Sequence, residues 1–458
     1  MKILLVYPPI EFGKKRGFGF PPLGLLYIAS YLKEKGIEVK VIDAFIEGYD
    51  LPELTYNILK EFPDFVCFSS MTCQIKNVIA VSKELKRNAS ALKIIVGGPH
   101  ISSTLAQMFS FSEHINFLVY GEGEETIHKL ISGASLEKID GIIYKKEDRI
   151  IVNKPSSPIE NLDELPFPNL DMVDIGKYDS YYAKSLPLTS LMASRGCCFN
   201  CNFCDSYATH GKIIRFRTPE NIVDEIERNY KKYNIKQVMI KDSTFTVNKK
   251  WVKDICLEIK KRDLDINWTC NTRADMVDME LLDIMKRSGC YMILFGLESG
   301  VQEILDKMHK GITVQDIKNA ISLCKKAGIQ TAGYFMVGNL GETEDDALRT
   351  VEFSKELNLD MATFGVTVAY PGTELYQHAI QNNAIDPLWY MKDAISSKSV
   401  REMDGNLNLN GFSKERQIEI ATKANKEFYL RPSYILKKIL RVRNFQDINR
   451  GIKAVGEL

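Results

Sequence analysis

The feature that most constrains the fold of this chain is a regular alternation of short β-branched segments with amphipathic ones. Strand-like runs such as ILLVY at 3–7 and KIIVGG at 93–98 are separated by segments with helical spacing, such as LGLLYIASYLKEKG at 23–36. Short strands joined by helices predict a parallel sheet covered on both faces. We therefore expect residues 1–140 to form a doubly wound α/β domain.

A second alternation begins at Pro187 and contains six strand-like runs, each followed by a helical segment. Six successive βα units predict a partial (β/α)6 TIM barrel over 187–378, with its chemistry at the carboxyl ends of the strands. The segment 141–186 reads as a hairpin followed by a proline-containing linker. We expect a small helical region over 379–458.

Composition limits the classes of function. The chain has 458 residues, of which 45% are hydrophobic and 26% charged, as in soluble globular proteins. A net charge of +1 gives no general attraction to nucleic acid or anionic membrane. The amino-terminal stretch MKILLVYPP is too short an apolar run for a signal peptide or a membrane span. We expect a cytoplasmic protein without a transmembrane segment or a nucleic-acid partner.

The stretch SRGCCFNCNFCDS at 194–206 places four of the ten cysteines within eight residues. Cys197, Cys201 and Cys204 have the spacing C-x3-C-x2-C, and Cys198 is additional. Structural zinc usually takes two separated C-x2-C pairs, and a thiol redox pair leaves Cys197 unexplained. Iron–sulfur clusters use closely spaced thiolates, and three thiolates on a [4Fe-4S] cube leave one iron free for another ligand. The spacing favours a cluster, with zinc and redox chemistry as the alternatives.

At this motif the chain resembles the radical SAM superfamily. The resemblance implies that Cys197, Cys201 and Cys204 hold a [4Fe-4S] cluster, which binds S-adenosylmethionine (SAM) and cleaves it to a 5′-deoxyadenosyl radical. KDSTFT at 241–246 occupies the place of the family's Gly-Gly-Glu motif without matching it. Glu298 is an implied ribose ligand, although it could instead cap the following helix. The implied SAM contacts are Phe203, Asp242, Ser243, Arg273, Glu298 and Gly338.

The front domain, with PPLGLLYIASYL, SSMT, VGGPH and YGEGEET in this order, makes residues 1–375 resemble the cobalamin-binding radical SAM proteins. The resemblance implies a Rossmann-like domain that binds cobalamin. None of the six histidines lies in the Asp-x-His-x-x-Gly motif of many cobalamin enzymes, so we expect no histidine on the lower face of the cobalt. The implied cobalamin contacts are Ser69, Ser70, Met71, Thr72, Gly97, Gly98, Gly121 and Glu122.

Two cofactors at facing strand ends imply a methyltransferase that uses methylcobalamin and the deoxyadenosyl radical to methylate an unactivated carbon. The alternative is a related cyclase, oxidase or rearrangement enzyme without methyl transfer. A tRNA methylthiotransferase would need three more cysteines in the first domain, and a corrinoid- or metal-binding module without activity is the non-enzyme alternative. The implied partners are a small-molecule, lipid or peptide substrate and a one-electron reductant such as flavodoxin or ferredoxin.

Overall fold

The structure, a computed structural model, describes residues 1–392, 405–408 and 411–439. The remainder of the predicted carboxyl-terminal region lies outside the described residues. The strands are β1 (Lys2–Tyr7), β2 (Glu38–Asp43), β3 (Phe65–Ser69), β4 (Lys93–Gly97), β5 (Phe117–Val119), β6 (Ile142–Lys146), β7 (Arg149–Val152), β8 (Leu188–Leu191), β9 (Ser194–Arg195), β10 (Arg215–Phe216), β11 (Gln237–Ile240), β12 (Asn267–Thr272), β13 (Cys290–Glu298), β14 (Gln330–Val337) and β15 (Met361–Val366).

Helices connect most of these strands. The α-helices are α1 (Leu23–Glu34), α2 (Ala44–Glu47), α3 (Leu51–Leu59), α4 (Ile75–Asn88), α5 (Pro99–Thr104), α6 (Glu124–Ile131), α7 (Tyr207–His210), α8 (Pro219–Tyr233), α9 (Lys249–Lys261), α10 (Met279–Arg287), α11 (Gln302–Lys307), α12 (Val314–Lys326), α13 (Glu344–Glu356), α14 (Glu374–Gln381), α15 (Lys414–Tyr429) and α16 (Pro432–Ile439). Among the described residues, none of these helices is both long and apolar enough to cross a bilayer.

The first sheet has the strand order β2-β1-β3-β4-β5-β6-β7, in which β1 to β5 are parallel and the hairpin β6-β7 is antiparallel. Strand β1, which lies between β2 and β3, is apolar on both faces because helices cover both faces of the sheet. Leu4 and Val6 pack into the core on one side of the sheet, while Ile3 and Leu5 pack into the core on the other. The predicted doubly wound α/β fold is confirmed.

The second sheet is parallel, with the order β15-β14-β13-β12-β11-β8. The six predicted βα units therefore form a partial barrel whose edge strands are β8 and β15, and this part of the fold prediction is also confirmed. The first predicted strand is divided, because β9 leaves the sheet and pairs antiparallel with β10. This departure carries the chain into the cysteine-rich stretch.

The two halves meet at the carboxyl ends of both sheets. Helix α5, which follows β4 in the first sheet, packs against α7, which follows the cysteine-rich stretch. Contact is also made by Gly372, where a Cβ atom would lie 2.9 Å from the Cβ of Ser103. In doubly wound folds ligands bind at the carboxyl ends of the strands, and in barrels the active site lies there. In this protein these two edges face each other.

Candidate functional site

The cysteine loop, residues 197–204, follows β9 and is anchored through Asn202. The backbone N–H of Asn202 donates to the carbonyl of Met308 at 3.1 Å, and its side-chain amide donates to the carbonyl of Lys307 at 2.7 Å. Gly196, just before the loop, has φ +101°, and a Cβ atom there would lie 2.2 Å from a backbone oxygen. Only glycine fits this turn, so the loop begins at a fixed point.

The three predicted ligands are partly accessible thiols, whereas Cys198 is exposed. Burial raises the pKa of the Cys201 thiol, and the nearby positive charge of Lys310 acts in the opposite direction. The described residues contain no group of three or more His, Cys, Asp or Glu side chains that could hold a single metal ion. Three accessible thiols on one anchored loop, next to a cation that favours thiolates, do fit an iron–sulfur cluster with one thiolate per iron.

A buried ion pair lies beside the cysteine loop at the end of β13. The Lys310 ammonium donates to Glu298 Oε1 at 2.8 Å, and each side chain is only 8% exposed. Glu298 adopts φ +64° at an irregularity in the pairing of β13 with β14, a conformation that costs about 1–2 kcal/mol for a residue with a Cβ. A Cβ on Gly296 would lie 2.5 Å from the Glu298 carboxylate, so glycine makes room for the pair.

The sequence left open that Glu298 caps the following helix, and the structure shows that it does not. Helix α11 begins after Val301, which makes no side-chain cap, and the Glu298 carboxylate pairs with Lys310 instead. Backbone strain that holds a buried carboxylate at a strand end is typical of functional sites. Its assignment as a SAM ligand stays a prediction.

Arg273 lies on the same side of the loop. Its guanidinium donates to Asp275 through two nitrogens at 3.0 Å each and to the carbonyl of Lys310, and it stacks 3.8 Å from the ring centroid of Phe199. Phe203 packs against the apolar face of α11, with the Lys310 ammonium 5.8 Å from its ring centroid. The structure therefore brings Arg273, Glu298 and Phe203 around one end of the cysteine loop.

Asp242 has a different environment. Its carboxylate accepts from the backbone N–H of Ala193 at 2.8 Å and from the hydroxyl of Ser194 at 2.5 Å, which ties the end of β11 to the start of β9. Burial raises the pKa of Asp242 to about 6. Ser243, by contrast, is exposed. Both residues stay predicted SAM contacts, and Ser243 is the more accessible of the two.

Gly338, at the end of β14, has φ +84°, and a Cβ atom there would lie 2.1 Å from Gln417 Oε1. Its N–H donates to Glu342 Oε2 at 2.6 Å. Burial raises the pKa of Glu342 to about 7, although hydrogen bonds from Asn339 and Gly338 lower it. The glycine thus permits close packing of three buried polar groups, and its contact with SAM stays a prediction.

The eight predicted cobalamin contacts lie at the carboxyl ends of the adjacent strands β3, β4 and β5 and on the loops that follow them. Five are partly exposed: Ser69, Met71, Gly97, Gly98 and Gly121. Three are buried: Ser70, Thr72 and Glu122. Gly98 has φ +97°, and a Cβ there would lie 2.6 Å from the Ser70 nitrogen. Bare backbone along three neighbouring strand ends fits a large flat cofactor that must approach the sheet closely.

His100, the histidine of the VGGPH segment, is buried between Thr72 and Tyr390. Its Nδ1 lies 3.1 Å from the Thr72 hydroxyl, its ring contacts Tyr390 edge-on, and only 3% of the residue is exposed. Desolvation lowers the pKa of His100 to about 4, so the ring is neutral at pH 7. The absence of a histidine ligand on the lower face of cobalt stays a prediction.

An ionic cluster joins the two halves next to these loops. Arg195 of β9 donates to Glu124 at 2.5 Å and lies 3.4 Å from Glu122, whose carboxylate also binds Arg215 at 2.6 Å and His210 at 3.0 Å. Both acidic side chains are only 4% exposed. The bonds of Glu122 connect the front domain to both flanks of the cysteine loop. Its contact with cobalamin stays a prediction, because the carboxylate already accepts from these donors.

The fold and this site define a class of protein. The model of the radical SAM superfamily matches residues 191–354, and that of the B12 binding domain matches residues 12–131. The chain belongs to the cobalamin-binding branch of the radical SAM superfamily. It is accordingly an enzyme whose cofactors are a [4Fe-4S] cluster, SAM and cobalamin.

Within this class, the chain is 35% identical to an uncharacterized methyltransferase of Pyrococcus horikoshii over 99% of its own length and 98% of the relative's. It is 29% identical to an anaerobic magnesium-protoporphyrin IX monomethyl ester cyclase of Rubrivivax gelatinosus, covering 82% of this chain and 70% of the relative. Its relatives thus support a methyltransferase, with the cyclase reaction as the alternative.

Solved structures share the fold. The radical SAM methyltransferase TsrM from Kitasatospora setae, with cobalamin and a [4Fe-4S] cluster bound, is 18% identical with a TM-score of 0.72, covering 94% of this chain and 89% of that one. The cobalamin-dependent radical enzyme OxsB is 19% identical with a TM-score of 0.75, covering 100% and 70%. At these identities, the likeness concerns the fold alone.

Proposed function

We propose that this enzyme methylates an unactivated carbon atom of a small molecule, a lipid or a peptide. The observation that carries the proposal is the arrangement of the two ligand-binding edges. The anchored cysteine loop lies between the carboxyl end of the barrel and the carboxyl end of the front sheet, so groups held at the two edges face each other. When bound, the cluster and SAM supply a carbon-centred radical, and cobalamin carries a methyl group.

The protein's own residues hold and orient these groups. Cys197, Cys201 and Cys204 would bind three irons of the cluster. The Lys310–Glu298 pair, buried beside Cys201, keeps a fixed positive charge near the thiolates and excludes water from that side. Arg273 is immobilised by Asp275 and would present a fixed cationic surface to SAM.

The proposal extends to domains, partners and location. We assign cobalamin binding to residues 1–140, the hairpin and linker to 141–186, radical chemistry to 187–378 and a supporting helical region to 379–458. A one-electron reductant of the flavodoxin or ferredoxin type would supply the electron that SAM cleavage requires. A reduced cluster and free thiols need a reducing compartment, which favours the cytoplasm.

Metal analysis of matched variants tests the cofactor sites. After anaerobic reconstitution with iron, sulfide and cobalamin, we expect about four iron, four sulfide and one cobalt per chain. Cys197→Ala, Cys201→Ala and Cys204→Ala should each lose most of the iron. The neighbouring Cys198→Ala is the control and should keep it, because Cys198 is exposed and lies outside the C-x3-C-x2-C spacing. Equal iron loss in all four variants would contradict the assignment.

Product analysis separates methyl transfer from the cyclase alternative. The reconstituted enzyme is supplied with SAM that carries a deuterated methyl group, a reductant and a small-molecule extract as the source of acceptor. Methyl transfer predicts both 5′-deoxyadenosine and S-adenosylhomocysteine, with the deuterated methyl group in a new product. Formation of 5′-deoxyadenosine without S-adenosylhomocysteine would refute methyl transfer and support a radical cyclase or oxidase.

A further inference from the structure

The barrel sheet has an outer face that packs on helices and an inner face that lines the interior of the partial barrel, here called the hollow. On β11, Val238 and Ile240 belong to the core between sheet and helices, so Lys241, the next residue, points to the opposite side. On β15, Ala362 and Phe364 pack outward in the same way. Met361, Thr363 and Gly365 therefore face the hollow together with Lys241.

The hollow is closed at one end and open at the other. A cluster of apolar and aromatic side chains that includes Leu294, Ala332, Tyr334 and Met361 fills the deep end. At the carboxyl end, the inward-facing residues are accessible to solvent: Lys241, Asn271, Gly296, Met336, Thr363 and Gly365. A Cβ atom placed on Gly365 would meet no other atom within 4 Å. The accessible end lies at the strand ends that carry chemistry in barrels.

Lys241 places a positive charge at this opening. Within the part of the chain that the structure describes, no carboxylate lies within ion-pair distance of its ammonium, whereas Lys310 and Arg273 both have acidic partners. Its ammonium lies 3.5 Å from the ring centroid of Phe20. Desolvation of its ammonium lowers the pKa of Lys241 to about 8. A bound anion would supply the missing charge partner.

The Phe20 ring that lies beside this cation belongs to an extended segment. Gly19 forms an isolated antiparallel bridge with Asp179, so Phe18 and Phe20 on either side of it project from the same face of an extended segment. The Phe18 ring lies 3.8 Å from that of Tyr181, centroid to centroid, at 36°. The segment comes from the front half of the chain and reaches over to the barrel. It adds a flat apolar surface to the cationic one.

We propose that Lys241, with Phe20 beside it, binds the substrate, and that this substrate carries an anionic group of the carboxylate or phosphate type next to a flat apolar part. The inference rests on the proposed function, because it assigns the substrate class of that same site. The cation attracts the anionic group with a charge-assisted hydrogen bond, and the Phe20 ring packs against the apolar part. The carboxylate of SAM is the other anion that could reach Lys241, and the test separates the two.

The test measures binding to the reconstituted holoenzyme with two probes of similar shape, 1-naphthoate and the uncharged 1-naphthalenemethanol. The variants are Lys241→Gln, which removes the charge, and Lys241→Arg, which keeps it. Lys236→Gln is the matched control, because Lys236 precedes the same strand at its other end and also lies over an aromatic ring, Tyr230. SAM affinity is measured separately by equilibrium dialysis without naphthoate.

We expect the wild type to bind naphthoate more tightly than the alcohol. Lys241→Gln should weaken naphthoate binding by about tenfold or more, with Lys241→Arg and Lys236→Gln close to wild type and SAM affinity unchanged. Equal binding of naphthoate in wild type and Lys241→Gln would overturn the inference. So would a loss of SAM affinity with naphthoate unaffected, which would assign Lys241 to the SAM carboxylate.

The binding measurement requires no turnover, and its failure is therefore distinct from failure of the proposed function. If Lys241→Gln leaves naphthoate binding intact while the enzyme forms S-adenosylhomocysteine, only the substrate class is wrong. If naphthoate binding depends on Lys241 but no S-adenosylhomocysteine forms with any acceptor, methyl transfer is wrong and the anion site stands.

Discussion

At the scale of single residues, the Glu298–Lys310 pair has the largest predicted effect. Glu298→Gln would leave the Lys310 ammonium buried without a counter-charge, because both side chains are 8% exposed. Breaking a buried pair from one side typically costs about 3–5 kcal/mol, so we expect a loss of about 3 kcal/mol in the free energy of unfolding. Urea denaturation under anaerobic conditions measures it.

The chain provides a control nearby. Glu303 pairs with Lys307 at 2.7 Å on the surface of α11, where the two side chains are 74% and 39% exposed. Exposed pairs contribute little, and Glu303→Gln should leave the unfolding midpoint almost unchanged. Similar destabilisation by Glu298→Gln and Glu303→Gln would show that the buried pair contributes no more to the free energy of unfolding than the exposed pair.

The sequence predicted some of these residues and not others, for physical reasons. Glu298 was predictable because it ends a strand, and strand ends converge in a parallel barrel. Lys310 was not, because it lies in a turn after α11 without a motif, twelve residues from its partner. Lys241 was visible only as a strand-end residue, since the absence of a counter-charge depends on every side chain around it. Charge pairing is a property of the folded chain.

At the scale of elements, α15 substitutes for a missing strand at the edge of the barrel. The Asn425 side chain accepts from the Phe364 N–H at 3.1 Å and donates to the Phe364 carbonyl at 2.9 Å. The Tyr429 hydroxyl makes the equivalent two bonds to Ala362, at 3.2 and 2.7 Å. These bonds satisfy buried backbone groups of β15 and cover an edge that could otherwise pair with another chain.

Asn425→Ala should therefore weaken both stability and solubility. It leaves the N–H and C=O of Phe364 without partners, and each such group costs about 1–3 kcal/mol when buried. We expect a lower denaturation midpoint and concentration-dependent association, measured by urea titration and light scattering. The neighbouring Lys426 is exposed, and Lys426→Ala should behave like the wild type. Unchanged stability of the Asn425 variant would show that water replaces the side chain.

The order of elements was the most predictable level, because strand and helix periodicities are local properties. The division of LTSLMASRG into β8 and β9 was not visible, since an apolar run does not reveal where a strand leaves its sheet. The pairing of the β6-β7 hairpin with β5 was also not visible. Both depend on contacts between segments that are distant along the chain.

At the scale of the whole molecule, two α/β halves must keep their ligand-binding edges opposed. The ionic cluster around Glu122 is one polar connection between them, and its members are far apart in sequence: Arg195 and Glu124 by 71 residues, Arg215 and Glu122 by 93. Burial alone would raise the pKa of Glu122, but hydrogen bonds from His210 and Arg215 and the charge of Arg195 hold it well below its usual range.

Glu122→Gln tests this connection. Removing the charge leaves Arg195 and Arg215 in a buried position without a full counter-charge. We expect the free energy of unfolding to fall by about 3 kcal/mol at pH 7, together with faster hydrogen exchange in the cysteine loop.

The effect of Glu122 on stability should depend on pH. A carboxylate with a lowered pKa stabilises the fold above its unfolded pKa of about 4.3, and this contribution is lost as the pH falls through the folded pKa. The difference in stability between wild type and variant should therefore narrow below about pH 4.3. Glu125→Gln, at an exposed pair with Lys129, is the control. If both variants unfold and exchange alike, the cluster does not hold the halves together.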